Sequence, residues 1–385
     1  MNYGTITLVF FLCAGFVLVE RRMPDRIKIV LYVAFAVMLS VIFALRNPET
    51  TSDTAEYVKV FNKVSIEENW FSRIERFEPG YCFLNRIVKY FTIDYKWLFF
   101  IISITIYLLF LKSVKNITEE YKKNANYLGK NRLDSFFYPL SFFLVYTAYF
   151  GLLYNSIAIR QGIAIPLIYI ACIFSKSNRK IYAGISIIIA CLLHQTAILA
   201  VPIIVISFLD IEINKRFLSK FVFGMLIFYC LGFSNYTTIF IQYIVKLLYN
   251  RFPNVQLFWW SIISIGNKEI ISSGFSIYRL LNYIIVFMLL LFVDGNKKAN
   301  FYTLISVIGL FIITLFGGLE IVMRLAEYYT VSICLAIYQM LVVSNQCLNF
   351  RIFNIKIKVP KSGFILLLSI LYYIVFIRNV VLVLQ

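Results

Sequence analysis

The sequence is short of charge and almost free of histidine: 15% of its 385 residues are charged, and His194 is the single histidine. One histidine excludes a multi-histidine metal centre and a Ser-His-Asp triad with a second histidine in reserve. No G-x-x-x-x-G-K-[ST] occurs, and Gly129-Lys130 lacks the partner glycine, so a Walker-type ATP site is excluded. The nearest approach to G-x-S-x-G, Gly274-Phe275-Ser276-Ile277-Tyr278, lacks the final glycine and therefore the nucleophile elbow. The only D-x-D-like pair, Asp210-Ile211-Glu212 beside Lys215, reads as a solvated loop, which argues against metal-dependent transfer from a nucleotide sugar. Neither a metal nor a cofactor is expected. The 7 cysteines are scattered, odd in number and mostly inside apolar runs, so they read as small core hydrophobes and not as a disulfide framework.

What the sequence has instead is apolar length. Hydrophobic residues make up 61% of it and aromatics 18%, and the mean hydropathy is +0.81. Apolar stretches run at about 3–19, 27–45, 97–111, 135–153, 157–174, 181–193, 196–209, 218–234, 277–293, 301–319, 328–345 and 363–380. At roughly 20 residues per crossing, the expectation is an all-α, polytopic integral membrane protein. It would form a single membrane domain over 1–385, with about 12 transmembrane segments. Residues 1–20 lack a basic region before the apolar run and an A-x-A site after it, so a retained first helix is expected.

The 37 Lys and Arg against 19 Asp and Glu set the orientation, because cytoplasmic loops collect cations. If 181–209 is two short segments broken near His194, most cations fall in 20–28, 112–132, 176–180, 215–220, 297–298 and 351–361. These become the inner loops, both termini lie outside, and no nucleic-acid partner is needed to account for the basic surplus. Two long outer loops follow, 46–96 and 235–276. The second is rich in aromatics (Tyr236, Phe240, Tyr243, Trp259, Trp260) at roughly helical spacing, as in an amphipathic interfacial helix.

The polar residues that could do chemistry sit at or just beyond the outer helix ends: Arg46, Asp53, Tyr57, Glu78, Arg160, Gln161, His194, Gln195, Arg279, Arg324, Glu327 and Tyr328. No charge stands mid-segment, which counts against a proton-coupled transporter. Arginines gathered at one membrane face suit a diphosphate, since a guanidinium makes bidentate contacts to phosphate oxygens. Each candidate also has a plainer reading. Arg160 could snorkel to headgroups, Arg324 could pair with Glu327 at i, i+3, and Arg279 and Arg46 could be interfacial cations. His194 could be a structural hydrogen-bonding residue, or a general base. Asp53 could cap a helix that carries Glu56 at its third position.

The succession Arg46 … Ser52-Asp53-Thr54 … Tyr57, Glu78-Pro79-Gly80-Tyr81, Ile159-Arg160-Gln161-Gly162, Leu193-His194-Gln195-Thr196 and Arg324-Leu325 … Tyr328 resembles the EpsG-like family. That family overlaps the Wzy-type O-antigen polymerases of bacterial surface polysaccharides. Leu193 stands where the family usually has Phe. The resemblance implies a GT-C-like glycosyltransferase of the bacterial inner membrane whose active site faces the periplasm. It would transfer a growing glycan from undecaprenyl diphosphate to the non-reducing-end sugar of an incoming lipid-linked repeat unit. Its implied partners are the undecaprenyl-diphosphate-linked oligosaccharide, membrane lipids and a chain-length regulator. On this reading Arg160 and Arg324, helped by Arg279 or Arg46, hold the diphosphate, and Glu78 or His194 is the base. Asp53, Tyr57, Gln161, Gln195, Glu327 and Tyr328 orient sugars or hold the arginines. Two rivals are a lipid-linked oligosaccharide flippase, which should show related halves, and a glycosyltransferase using a polyprenyl-phosphate sugar.

Overall fold

A computed structural model describes residues 3–67, 69–70, 72–74, 77–127, 137–209, 211, 213–251, 276–292, 300–317, 319–344, 347–352 and 355–384. Among the described residues the fold is helical apart from one hairpin, and contacts divide it into two compact units, Met1–Ile211 with Ile337–Gln385, and Glu212–Ala336. Trp259, Trp260 and most of the second outer loop lie outside the described residues.

The first unit is built on α1 (Tyr3–Val19), α2 (Asp25–Ala44), α5 (Lys96–Tyr127), α6 (Pro139–Tyr146), α7 (Ile159–Lys176), α8 (Lys180–Leu193) and α9 (Val201–Leu209). Between α2 and α5, the expected outer loop 46–96 folds as two helices, α3 (Ser52–Lys63) and α4 (Pro79–Phe91). Thr51, not Asp53, caps α3: its hydroxyl accepts the Thr54 N–H at 3.2 Å, which leaves Asp53 in the first turn. Two cations pin this loop. The fully buried Arg86 donates to the carbonyls of Ser65, Trp70 and Ser72. Lys89 donates to the carbonyls of Phe61, Asn62 and Val64 at the end of α3, as a cation should at a helix C-terminus.

In the second unit follow α10 (Lys215–Cys230), α11 (Phe233–Arg251), α12 (Ile277–Leu291), α13 (Phe301–Phe316) and α14 (Glu320–Thr330). Helix α15 (Ser332–Val343) then leads to the antiparallel pair β1 (Cys347–Ile352) and β2 (Ile355–Pro360) and to α16 (Lys361–Leu384). Gly232 adopts a left-handed φ of 70°, and α11 leaves α10 at 74°. A bend of that size suits a helix turning toward the membrane plane. Gly309 lets α13 lie against α14, because a Cβ there would stand 2.9 Å from the Tyr329 Cβ.

Of the twelve apolar stretches, six lie in helices long and apolar enough to cross a membrane: Gly4–Arg22, Asp25–Ala44, Lys96–Lys122, Ile159–Lys176, Val322–Val343 and Lys361–Arg378. A seventh span arises if the bent pair α10–α11 counts as one. The remaining five belong to shorter apolar helices, so among the described residues helix length accounts for six or seven of the twelve expected crossings. The shortening has local causes. Helix α6 passes into wider π-helical turns at Thr147–Gly151 and Leu153–Ile157, and the 181–209 stretch breaks at His194, as anticipated. All seven cysteines are free thiols.

Candidate functional site

Three helix ends of the first unit meet around Glu78. It occupies the N-cap position of α4, where Pro79 starts the helix, but its carboxylate makes no bond to its own first turn and reaches across to α7 and α8. Gly80 permits the approach: a Cβ there would lie 2.7 Å from the Leu192 carbonyl oxygen in the last turn of α8. Gly162 does the same for α7, whose first turn sits against the Tyr154 backbone. At the end of α8 the chain becomes extended at His194 (φ −155°, ψ 109°) and restarts as a tight 3₁₀ turn, Gln195–Ala200. This break presents both the imidazole and the Gln195 N–H to Glu78.

The carboxylate is fully engaged. Its Oε1 accepts the Gln195 N–H at 3.1 Å and faces His194 Nδ1 at 3.2 Å, while Oε2 accepts Arg160 Nη1 at 2.5 Å. Glu78 is 3% exposed. Burial alone would raise its pKa. The His194 hydrogen bond, the Arg160 charge and the Gln195 N–H outweigh that and hold it down at about 2. A carboxylate bound to three donors is a weak base. It is an acceptor only, so His194 must carry its proton on Nδ1, which leaves Nε2 as the basic nitrogen.

Arg160 is caged by rings. Its guanidinium carbon lies 4.4 Å from the Phe77 centroid, 5.6 Å from Tyr57 and 5.8 Å from Tyr81. Burial raises the Tyr57 phenol, partly offset by the Arg160 charge. The Arg160 Nε is buried without a hydrogen-bond partner.

Arg46 lies just beyond α2, and its surroundings are unusual. It is 3% exposed, stacks 4.0 Å over Phe99, and donates from Nη1 to the Phe43 carbonyl at 3.0 Å, yet its Nε and Nη2 are buried with no partner. Burial lowers its pKa to about 10 against the opposing pull of Tyr57, Tyr81 and Tyr95, so it stays charged at neutral pH. Arg46 and Arg160 both act electrostatically on Tyr57 and Tyr81. The group therefore holds two guanidinium charges, the carboxylate of Glu78 with that of Asp53 acting on Tyr57, and buried N–H groups that lack an acceptor.

This is the motif order Arg46, Tyr57, Glu78-Pro79-Gly80-Tyr81, Arg160-Gln161-Gly162 and His194-Gln195 assembled in space. The sequence matches the family model described as the EpsG family over residues 29–384, nearly the whole chain. The chain belongs to the EpsG family. EpsG is a Wzy-like polymerase family, glycosyltransferase-like and membrane-bound, and places this chain among membrane polysaccharide polymerase-like enzymes. Comparison with curated proteins and with solved structures finds no match.

The other expected site residues of this EpsG-family chain fall as follows. Gln161 is buried in the first turn of α7, Gln195 has an exposed side chain, and Asp53 is half-buried in α3. Arg279, Arg324, Glu327 and Tyr328 belong to the second unit. There Arg279 donates to the Gly317 carbonyl at 3.3 Å, Arg324 is exposed, and Tyr328 is fully buried. Phe77, Tyr81 and Phe99, which shape the two arginines, were not among the expected site residues. The aromatics flanking Glu78-Pro79-Gly80 were the available signal.

Proposed function

We propose that this protein is a multi-pass enzyme of the bacterial inner membrane that polymerises lipid-linked oligosaccharide repeat units. The growing glycan leaves undecaprenyl diphosphate and joins the non-reducing-end sugar of an incoming unit, on a GT-C-like scaffold whose site faces the periplasm. The observation that carries this reading is the Arg160–Glu78–His194 chain of contacts beside a second, under-satisfied arginine.

In this mechanism Glu78 is the positioning residue and His194 the base. Nε2 takes the proton of the acceptor hydroxyl as its oxygen attacks the anomeric carbon. The bond from that carbon to the diphosphate oxygen breaks, and the electron pair leaves with the lipid diphosphate. A single displacement inverts the anomeric centre. The free N–H groups of Arg46 and Arg160 suit phosphate oxygens and would stabilise the charge that develops on the leaving group. The donor brings its own leaving group, so no nucleotide is needed.

The test is deletion of the gene followed by electrophoresis of the surface glycan. A polymerase leaves a core with one repeat unit and no ladder. Complete loss of repeat units would favour a flippase, and a ladder built from a truncated unit would favour a single-sugar transferase.

A further inference from the structure

Among the buried polar groups that the mechanism does not use, one set lies about a helical turn below the two arginines. The π-helical turn Leu153–Ile157 packs against α2, α3, α5 and α7. Those elements carry or adjoin Arg46, Tyr57, Phe99 and Arg160. The turn closes with the Ala158 N–H on the Leu153 carbonyl at 2.8 Å, and Ala158 then leaves helical geometry (φ −91°, ψ 55°) before α7 starts at Ile159. Wide turns of this kind recur at functional sites. Arg160 is the second residue of α7, so its placement follows from how this turn is held.

Asn155 holds it. Its Nδ2 donates to the Ser103 carbonyl at 3.2 Å and to the Ser103 hydroxyl at 3.0 Å, and its Oδ1 accepts the Tyr146 hydroxyl at 2.8 Å. The Ser40 hydroxyl meets that of Ser103 at 3.0 Å, which joins α2 to the same group. Ser40, Ser103, Tyr146 and Asn155 are all fully buried. Ser103 lies one turn beyond Phe99, the ring under Arg46, and Ser40 lies one turn before Phe43, whose carbonyl Arg46 holds. Each helix that shapes the Arg46 surroundings is thereby tied to the turn that launches Arg160.

Ser40 and Ser103 belong to spans, where an unbonded polar group is costly and water is not at hand to replace a lost partner. Apolar side chains of the same shape would fill this layer at little loss of stability. What they would lose is register, because a satisfied polar network admits one arrangement of the helices that share it.

We propose that Asn155 is a positioning residue for the diphosphate. It fixes the start of α7 against α5 and α2, and so holds the Arg160 guanidinium at the separation from Arg46 that one diphosphate bridges. This role rests on the diphosphate reading above, and Asn155 itself touches neither substrate nor reacting atoms.

The test measures binding of geranylgeranyl diphosphate and geranylgeranyl monophosphate to the purified full chain in nanodiscs. Wild type should prefer the diphosphate by at least about tenfold, and Arg46→Met should abolish that preference. Asn155→Leu with Tyr146→Phe removes the amide together with the hydroxyl it would strand. That paired variant should melt near the wild-type temperature, keep its monophosphate affinity and lose about tenfold in diphosphate affinity. Tyr146→Phe alone, which keeps both bonds to Ser103, should retain most of the preference. Ser103→Ala, a smaller change that leaves the carbonyl bond in place, should reduce it about threefold. Loosened packing would instead weaken both ligands together and lower the melting temperature. The proposal is overturned if the paired variant or Ser103→Ala keeps the full preference while Arg46→Met loses it, or if Tyr146→Phe alone loses as much as the pair. Equal binding of the two ligands by wild type, or an unchanged preference in Arg46→Met, overturns the diphosphate reading and this role with it.

Discussion

His194 Nδ1 faces Glu78 Oε1 at 3.2 Å, and the same oxygen accepts the N–H of the next residue, Gln195, at 3.1 Å. One carboxylate oxygen thus reads both the side chain and the backbone at the point where α8 breaks. The break is part of the site, because a continuous helix would bury the Gln195 N–H in its own hydrogen-bond ladder.

Replacing His194 by Ala should therefore lower the rate of repeat-unit transfer by about 10²–10⁴-fold, the usual range for a lost acid–base group, with protein still in the membrane. Glu78→Gln should also inactivate, because an amide cannot accept from both Nδ1 and Arg160 and offers its own donor to the ring. Ladder formation in complemented deletion strains measures both. Normal ladders from His194→Ala would remove it as the base.

The acid side of stability should report Glu78. Its folded pKa of about 2 lies below the ordinary value near 4.3. Its contribution is therefore complete above the unfolded value and is lost as pH falls toward 2. Melting of the detergent-solubilised protein between about pH 6 and 3 should fall less steeply for Glu78→Gln than for wild type. Parallel curves would mean the ion pair does not form.

Arg46 and Arg160 should respond differently to substitution. A buried guanidinium with two orphaned N–H groups costs stability, so Arg46→Met should leave the melting temperature unchanged or higher while lowering activity at least about tenfold. Arg160→Lys keeps the charge but loses the planar group stacked on Phe77, and should fail to rescue activity. Full activity in Arg46→Met would remove it from the diphosphate site.

Gly80→Ala should act at a distance from chemistry. The added methyl would press on the Leu192 backbone, and easing α4 away from α8 should cost about 1–3 kcal/mol and separate Glu78 from His194. The expected result is reduced activity and a lowered melting temperature, whereas Gly184→Ala, inside α8 with open space around it, should leave activity unchanged and hold or raise the melting temperature.

The orientation is checked by a reporter active only in the periplasm and fused after Lys59. Activity places α3 outside, as proposed. A cytoplasmic reading reverses the whole arrangement.

Composition by itself determined that this chain belongs in a membrane, since apolar stretches of this number can only be solvated by lipid or by one another. The motif order determined the family. The polar residues at helix ends, among them Arg160, His194 and Arg46, were legible because charge is expensive at bilayer depth and so its placement is informative. Tertiary structure decided the rest. Glu78 and His194 are 116 residues apart, and nothing local says which of two candidate bases is tied up by three donors. Helix lengths also depended on breaks, the π turns before α7 and the kink at Gly232, that hydropathy does not register. The alignment of Arg324 and Arg279 with Arg160 along the sequence said only that all three lie near helix ends. Which unit each belongs to depends on contacts between distant segments, and a hydropathy pattern does not record those.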